Sequence, residues 1–305
     1  MPRIPRMLIT DQPAVYHVIS RTALQGLPIT DTDKEVFLKL LKFLASVYFV
    51  DILGFCIMGN HFHLLVQTHP ENEISDQEVI RRFEIYYKKD DRVLTQDQIP
   101  HFRQKWTNLS EFIKELKQRF TWYYNKTYGR KGYFWSDRFK SVIVEKGYTL
   151  INCLAYIDLN PVRAGIVQKP EDYRWSSMGY VARTGNKDGF LSLDFGLKQY
   201  EIDDVEERFR MYREYVYEHG CLESSKGASI NEETVVKERK KKFKFTPADR
   251  LLYRTRYLTE GVFLGSSQFV KEQFQRFKDK LKIEKDRQPH KISGFENIYS
   301  FRQTP

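Results

Sequence analysis

The chain has 305 residues, of which 41% are hydrophobic, so it can build one large core domain with appendages or two modest domains. A formal net charge of +10, with 22 Phe and 19 Tyr residues, favours an anionic partner such as nucleic acid, whose unpaired bases stack on aromatic rings. Three scattered cysteines exclude a disulfide framework and a CxxC zinc site, and the sequence predicts neither a signal peptide nor a membrane-spanning segment. We therefore expect a soluble, cytoplasmic protein.

The first part of the chain predicts a strand, a helix and two further strands. Residues 14–22 alternate as in a strand, and residues 30–49 combine acidic residues at the start with apolar residues at helical spacing. Residues 50–58 predict a second strand, and Gly-Asn at 59–60 forms the turn into a third strand that starts HFHLLV at 61–66. This order indicates that the third strand lies at the centre of an antiparallel sheet.

A charged segment follows the third strand. Residues 70–108 lack clear periodicity in places and predict an insertion with one helix, at 77–89. A stronger helix is predicted at 108–129, with Asn108 or Ser110 as its cap and the final glycine as its stop.

A basic aromatic loop leads from residue 129 into a strand predicted at 140–144. A helix at 149–160 follows, and Pro161 ends it because the residue before a proline is pushed out of the helical region. Past about residue 185 the sequence becomes helical and highly charged, without a second clear core signature.

We therefore predict two parts. The core domain occupies residues 1–185 and includes the insertion, and a helical, basic accessory region occupies 186–305. Within that region the run KERKKKFK at 237–244 is either a solvated or disordered basic face or a DNA contact.

Two histidines lie one residue apart in the third strand. Because side chains alternate across a strand, His61 and His63 leave by one face and Phe62 by the other. Two imidazoles on one face of a core strand are either costly buried polar groups or a pair of metal ligands. A strand position for structural histidines is the simpler alternative.

The last predicted helix carries a second pair of polar residues. Tyr156 and Asn160 are four residues apart, so their side chains share a face and border the two histidines if the helix packs on the sheet by its apolar stripe. Two neutral imidazoles and an amide oxygen form an incomplete shell for a divalent ion, which leaves room for water or a phosphate oxygen. A tyrosine beside such a site can attack phosphorus. In the alternative interpretation, Tyr156 is an aromatic residue at the core edge and Asn160 caps the turn PVRAG.

Four motifs occur in an order that resembles a known family. HFH followed by LLV, YFWSDRFKS at 133–141, YIDLNPVRAGIV at 156–167 and DYRWSS at 172–177 resemble the single-tyrosine HUH transposases. Within that group the resemblance is to the REP-associated tyrosine transposases, and it spans roughly residues 12–180.

The resemblance implies an α+β fold, a ferredoxin-like HUH core whose central antiparallel sheet is flanked by helices, here with a helical C-terminal extension. His61 and His63 match two metal ligands, Asn160 matches the third, and Tyr156 matches the nucleophile. The implied cofactor is Mg²⁺ or Mn²⁺. The family cuts one DNA strand near a hairpin and leaves a 5′-phosphotyrosine and a free 3′-OH, so rejoining needs no ATP.

Basic residues and an aromatic ring are candidates for DNA contacts. The predicted set is Arg130, Lys131, Trp135, Arg138, Lys140 and Arg163. The loop of the first five is alternatively a strand with a solvated basic face, and Arg163 alternatively satisfies the turn PVRAG. We expect His17 to be a strand histidine that is hydrogen-bonded in the sheet.

Two functions from different classes fit these residues. The first is a metal-dependent endonuclease and strand transferase acting on single-stranded DNA with a REP-like or insertion-end hairpin, as a monomer or homodimer. The second is a domesticated, non-catalytic protein that only binds nucleic acid. The joint presence of the two histidines, Tyr156 and Asn160 favours the enzyme, because a pure binding protein does not need the nucleophile.

Overall fold

The computed structural model describes residues 8–88, 92–193, 202–221, 227–245, 263–281, 288–291 and 299–301. Its core is a four-stranded antiparallel sheet in the order β2-β3-β1-β4. The strands are β1 (Ala14–Arg21), β2 (Val50–Ile57), β3 (His61–Thr68) and β4 (Lys140–Val144). The helices before residue 185 are α1 (Asp31–Ala45), α2 (Asp76–Tyr86), α3 (Ile99–Thr107), α4 (Leu109–Thr127), α5 (Tyr148–Asp158), α6 (Asn160–Arg163) and α7 (Ser177–Thr184).

The connections identify the fold. Helix α1 joins β1 to β2, a short turn joins β2 to β3, and α4 is the last helix between β3 and β4. This β-α-β-β-α-β sequence with β1 and β3 in the middle of the sheet is the ferredoxin-like arrangement. The predicted α+β fold class and the central position of the histidine strand are therefore confirmed.

The two faces of the sheet are covered by different helices. On one face Phe62 of β3 packs against Phe37 of α1, with ring centroids 4.9 Å apart, and α4 adds Phe120 to the same cluster. On the other face α5 lies close to β2. A Cβ built on Gly54 would lie 2.2 Å from Leu154 Cδ1, so the glycine lets the Leu154 side chain pack directly on the strand.

Capping residues set the starts of the two helices that cover the first face. Thr30 and Asp33 form a capping box at α1, in which each side chain bonds the other residue's backbone N–H. At α4 the side chain of Asn108 accepts from the backbone N–H of Ser110 and Glu111, so Asn108 is the cap.

The insertion at 70–108 contains two α-helices, whereas the sequence predicted one. Helix α2 corresponds to the predicted helix, whose final residue lies outside the described residues, and α3 was missed. Two short 3₁₀ turns, Glu71–Glu73 and Gln96–Gln98, accompany them. The helices meet through aromatic rings, with Phe83 and Phe102 centroids 5.0 Å apart.

The region after residue 185 is largely helical where it is described. Its elements are α8 (Val205–Gly220), α9 (Glu232–Lys240), α10 (Ser267–Leu281), β5 (Phe263–Gly265), β6 (His290–Lys291) and β7 (Tyr299–Phe301). A 3₁₀ turn, Pro170–Asp172, precedes α7 in the core. The three short strands form a small antiparallel sheet, β5-β7-β6, that the sequence did not predict. Parts of the predicted accessory region, such as 194–201 and 246–262, lie outside the described residues. Within the described ranges no helix is long and apolar enough to cross a membrane.

Buried polar contacts join α8 and α9 to the core. Tyr212 of α8 donates a 2.7 Å hydrogen bond to Asp158 at the end of α5. Arg213 pairs with Glu171 of the 3₁₀ turn and with Glu238 of α9, and all three side chains are almost fully buried. The run 237–244 therefore belongs to α9 and the turn after it, and it is not only a solvated basic face.

Candidate active site

His61 and His63 lie on the central strand β3 and face α5. Their ring centroids are 5.1 Å apart, and the His63 side chain is almost fully buried. His61 Nδ1 lies 2.7 Å from the Asn60 side-chain oxygen, which can only accept, so Nδ1 donates the proton. This tautomer leaves the lone pair of His61 Nε2 available.

A third histidine, His17 of β1, contacts His63 as Asn60 contacts His61. Its Nε2 lies 2.9 Å from His63 Nδ1, and the two rings stack with centroids 5.2 Å apart. Two imidazole nitrogens at this distance share one proton. When Nδ1 of His63 carries it, His17 accepts the bond and Nε2 of His63 is left with a lone pair. A metal-binding histidine is held in this way by an acceptor behind it.

His17 was expected only to be hydrogen-bonded in the sheet, and its contact with His63 was missed. In the register of β1 against β3, Ile19 lies opposite His63 and His17 lies opposite Leu65. His17 and His63 are therefore diagonal neighbours on the same face of the sheet. The one available signal was the period of two in β1, which puts His17 on the opposite face from Tyr16 and Val18.

All three imidazoles are neutral at neutral pH. Burial lowers the pKa of His63 to about 3, with His61 and His17 adding to the effect, and burial lowers the pKa of His17 to about 4. Burial, with a smaller contribution from Arg21, also lowers the pKa of His61. Neutral imidazoles are the form in which histidine binds a metal ion.

Tyr156 of α5 lies directly beside the histidines. Its ring meets His63 edge-on at a centroid distance of 5.8 Å and His17 at 6.0 Å. The residue is 43% exposed, so its side chain is accessible from solvent. The guanidinium carbon of Arg163 lies 5.1 Å from the centre of the tyrosine ring. The structure thus brings together Tyr156, the histidines and Arg163.

Asn160 is fixed to the end of α5. Its Nδ2 donates to the carbonyls of Tyr156 at 2.9 Å and Ile157 at 3.3 Å. Asn160 makes no side-chain cap to α6, where Leu159 occupies the cap position, so the alternative role as an N-cap is wrong. In the described residues no hydrogen bond engages Oδ1 of Asn160, which leaves this oxygen as an acceptor.

These residues fit the metal implied by the family. They offer two imidazole nitrogens and one amide oxygen, a donor set that suits a divalent ion with open positions for substrate. In the part of the chain that the structure describes, no cluster of three or more His, Cys, Asp or Glu side chains could hold a metal. The proposed donor set is not a cluster of that kind, because its third donor is the amide of Asn160 and His17 is hydrogen-bonded to His63.

The predicted DNA-binding residues occupy two places. Arg163 lies at Tyr156, and the others belong to the loop before β4 and to its first residue. Lys140 of β4 lies opposite Ile19, which lies opposite His63, so Lys140 stands on the same sheet face as His63. Two strand spacings separate them, roughly 10 Å.

Trp135 requires a correction. Its ring packs among core aromatics, its Nε1 donates to the Lys117 carbonyl at 3.1 Å, and only 8% of the residue is exposed. A buried indole has no free face for a base. Of Tyr133, Phe134 and Trp135, only Tyr133 is exposed enough to stack.

Residues 12–97 match the model of a family described as "Transposase IS200 like". The resemblance to these transposases is confirmed. The matched segment includes His17, His61 and His63 and ends before Tyr156. No curated protein matches the chain.

Two solved structures of transposases are similar to parts of the chain. A REP-associated tyrosine transposase bound to a REP hairpin aligns with 76% of this chain and 100% of its own, at 15% identity and a TM-score of 0.42. A protein from Deinococcus radiodurans R1 described as a transposase aligns with 52% of this chain and 96% of its own, at 16% identity and a TM-score of 0.28.

Proposed function

We propose that this chain, part of which matches the IS200-like transposases, is a metal-dependent endonuclease and strand transferase that cuts single-stranded DNA through a 5′-phosphotyrosine. The observation that carries the proposal is the position of Tyr156, a solvent-accessible tyrosine in edge contact with the buried, neutral His63 and His17. The tautomers inferred for His61 and His63 leave Nε2 of each ring available to a metal beside this tyrosine, a feature that packing alone does not require.

Each residue has a proposed role. His61, His63 and Asn160 would hold Mg²⁺ or Mn²⁺, which when bound withdraws charge from the scissile phosphate. In this role His17 would accept a hydrogen bond from His63, and Asn60 one from His61, and these bonds would orient the two ligand imidazoles.

The chemical step uses Tyr156. Its hydroxyl oxygen attacks phosphorus, a tyrosine–phosphorus bond forms, and the bond to the 3′ oxygen breaks. The proton of the hydroxyl ends on that oxygen, so the products are a 5′-phosphotyrosine and a free 3′-OH. The phosphoester energy is conserved, and attack by another 3′-OH reverses the step.

The surrounding charge suits a DNA strand. Arg163 adds positive charge beside the tyrosine, and Lys140 stands on the same sheet face as His63. Such cations bind phosphates and make affinity fall with salt. The family resemblance supports an adjacent hairpin as the recognised element, with the cut in the unpaired strand.

The test uses a library of single-stranded hairpin oligonucleotides with a label on the 3′ side of the cut, incubated with Mg²⁺ or Mn²⁺. Denaturing gels should show label migrating with protein, and peptide mapping should place the adduct on Tyr156. Excess EDTA, His61→Ala or His63→Ala should abolish both nick and adduct.

Tyr156→Phe and Tyr128→Phe form a matched pair, because the two tyrosines are 43% and 44% exposed. The first should lose nick and adduct while still binding DNA, and the second should keep both. Nicking by Tyr156→Phe without a covalent species would show that water is the nucleophile and refute the proposal. DNA binding without any cut across the library would favour the non-catalytic alternative.

A further inference from the structure

A groove of about 710 Å³ runs between α4 and the loop that precedes β4. It lies on the side of the sheet covered by α4, whereas Tyr156 belongs to the helix on the other face. Its lining includes Lys114, Lys117, Trp122, Asn125, Tyr133 and Arg138. None of the roles proposed for cleavage uses the groove.

Two aromatic side chains are exposed along this groove. Trp122 is 68% exposed and Tyr133 is 77% exposed, so they rank among the most exposed large hydrophobic residues that the structure describes. Their neighbours Phe134 and Trp135 fill the core beneath them. Trp122 and Tyr133 are therefore not needed for packing, and their rings are free to stack on a ligand.

Positive charge lies beside Trp122 and along the groove. Lys126 Nζ lies 5.0 Å from the centre of the Trp122 ring, and Lys114 and Arg138 line the groove. Acidic residues are fewer: Glu111 is paired with Lys114 at 3.2 Å, and Asp137 is the other carboxylate of the lining. Exposed aromatics among cations are the combination that holds unpaired nucleotides, because rings stack on bases while cations contact phosphates.

Asn125 adds an unmet hydrogen-bond acceptor. Its Nδ2 donates to the Gly132 carbonyl at 2.8 Å, while its buried Oδ1 has no hydrogen-bond partner among the described residues. Amino groups of bases are donors of the kind that such an oxygen lacks.

The loop that lines the groove is anchored at the end of the sheet that carries His61. Ser136, next to the groove, donates to the Arg21 carbonyl from both its backbone and its hydroxyl, at 3.0 Å each. Arg21 lies directly opposite His61 in the sheet. A strand that left the active site around this end of the sheet, along residues 136–140, would reach the groove.

We propose that this groove binds unpaired nucleotides of a single DNA strand, with bases stacked on Trp122 and Tyr133. The inference rests on the proposed function for its choice of DNA as substrate, and it adds a second contact outside the cleavage site. An acidic peptide would use the cations but has no need of two exposed rings.

The test measures binding in EDTA, so that cleavage plays no part. A labelled, unstructured 30-nucleotide single strand is titrated with the full chain, and affinity is read by fluorescence anisotropy. Trp122→Ala and Tyr133→Ala should each weaken binding by roughly 10-fold, as expected for loss of one stacked base, and Trp122→Phe should restore most of it. Phe269→Ala, which removes an exposed aromatic from α10, should leave affinity unchanged.

A strand with abasic sites separates stacking from charge. It should bind the unaltered protein more weakly, and Trp122→Ala should then cost little more. Unchanged affinity in both alanine variants, an equal loss with duplex DNA, or an equal loss with the abasic strand would overturn the proposal. So would polyglutamate binding that depends on Trp122, which would assign the groove to an acidic protein partner. Adducts on Tyr156 are scored in parallel, so failure of the groove and failure of the proposed function are distinguishable.

Discussion

Replacing Arg213 by methionine should destabilise the protein strongly, because Arg213 is the one cation shared by two buried carboxylates. Its Nε donates to Glu171 at 2.6 Å and its Nη2 to Glu238 at 2.7 Å. Burial opposes its charge, yet the two carboxylates outweigh burial and raise the pKa of Arg213. Methionine keeps much of the apolar stem and removes only the charge and the donors.

The expected loss of unfolding free energy follows from the partners that the two carboxylates keep in Arg213→Met. Glu238 keeps Lys169 at 2.9 Å, but among the described residues Glu171 keeps only the Tyr217 hydroxyl, at 3.0 Å. One fully buried carboxylate is thus left without a cation, and breaking a buried ion pair from one side costs about 3–5 kcal/mol. At an exposed pair the same loss costs about 0–1 kcal/mol.

Urea unfolding followed by circular dichroism gives the free energy of unfolding by linear extrapolation. Arg81→Met is the matched control, because Arg81 pairs with Glu78 at 57% and 33% exposure. The double variant Arg213→Met with Glu171→Gln should recover part of the loss. Equal, small effects of Arg213→Met and Arg81→Met would refute the assignment of an obligatory buried ion cluster.

Three further predictions concern stability and packing. Burial would raise the pKa of Glu238, but its cationic partners, Arg213 first, outweigh burial and lower the pKa from 4.5. The stabilisation that Glu238 gains from these partners is therefore present above pH 4.5 and is lost on acidification. The difference in unfolding free energy between the unaltered chain and Arg213→Met should narrow as the pH falls towards 3. Tyr212→Phe removes a hydrogen bond from the fully buried Asp158 and should cost about 1–3 kcal/mol in urea unfolding, and an unchanged midpoint would contradict this. Gly179→Ala would put a Cβ 1.9 Å from a backbone carbonyl oxygen and should cost more than the roughly 1–3 kcal/mol of an overpacked core, which soluble yield and thermal unfolding will show; a normal melting temperature would be inconsistent with this packing.

The sheet and helices α1 and α4 could be predicted because the spacing of apolar residues within each segment shows which side chains are buried. The strand at 140–144 was placed at its observed bounds, and α4 starts after a predicted cap. Helix α3 could not be predicted, because only Ile99 and Trp106 of its nine residues are buried and no apolar period is visible. The buried ion cluster joins residues 42 and 25 positions apart, a distance that no local pattern records.

The candidate site divides in the same way. The pair His61 and His63 and their relation to Tyr156 were predicted from spacing and motif order, and their roles remain predictions. His17 was missed because its neighbour depends on the register of β1 against β3, which neither strand encodes alone. The burial of Trp135 was missed because a loop has no period to show which side chains point inward.

The contact between Asp158 and Tyr212 limits how this chain can diversify. Asp158 follows Tyr156 by two positions and is fully buried, so the helix bearing the tyrosine is seated partly on α8. A segment grafted after residue 185 must rebuild the hydroxyl on Asp158 and the guanidinium between Glu171 and Glu238. Sequence change can therefore accumulate on the outward surfaces of α8 and α9, while the buried residues on their inward surfaces are constrained by the core that they contact.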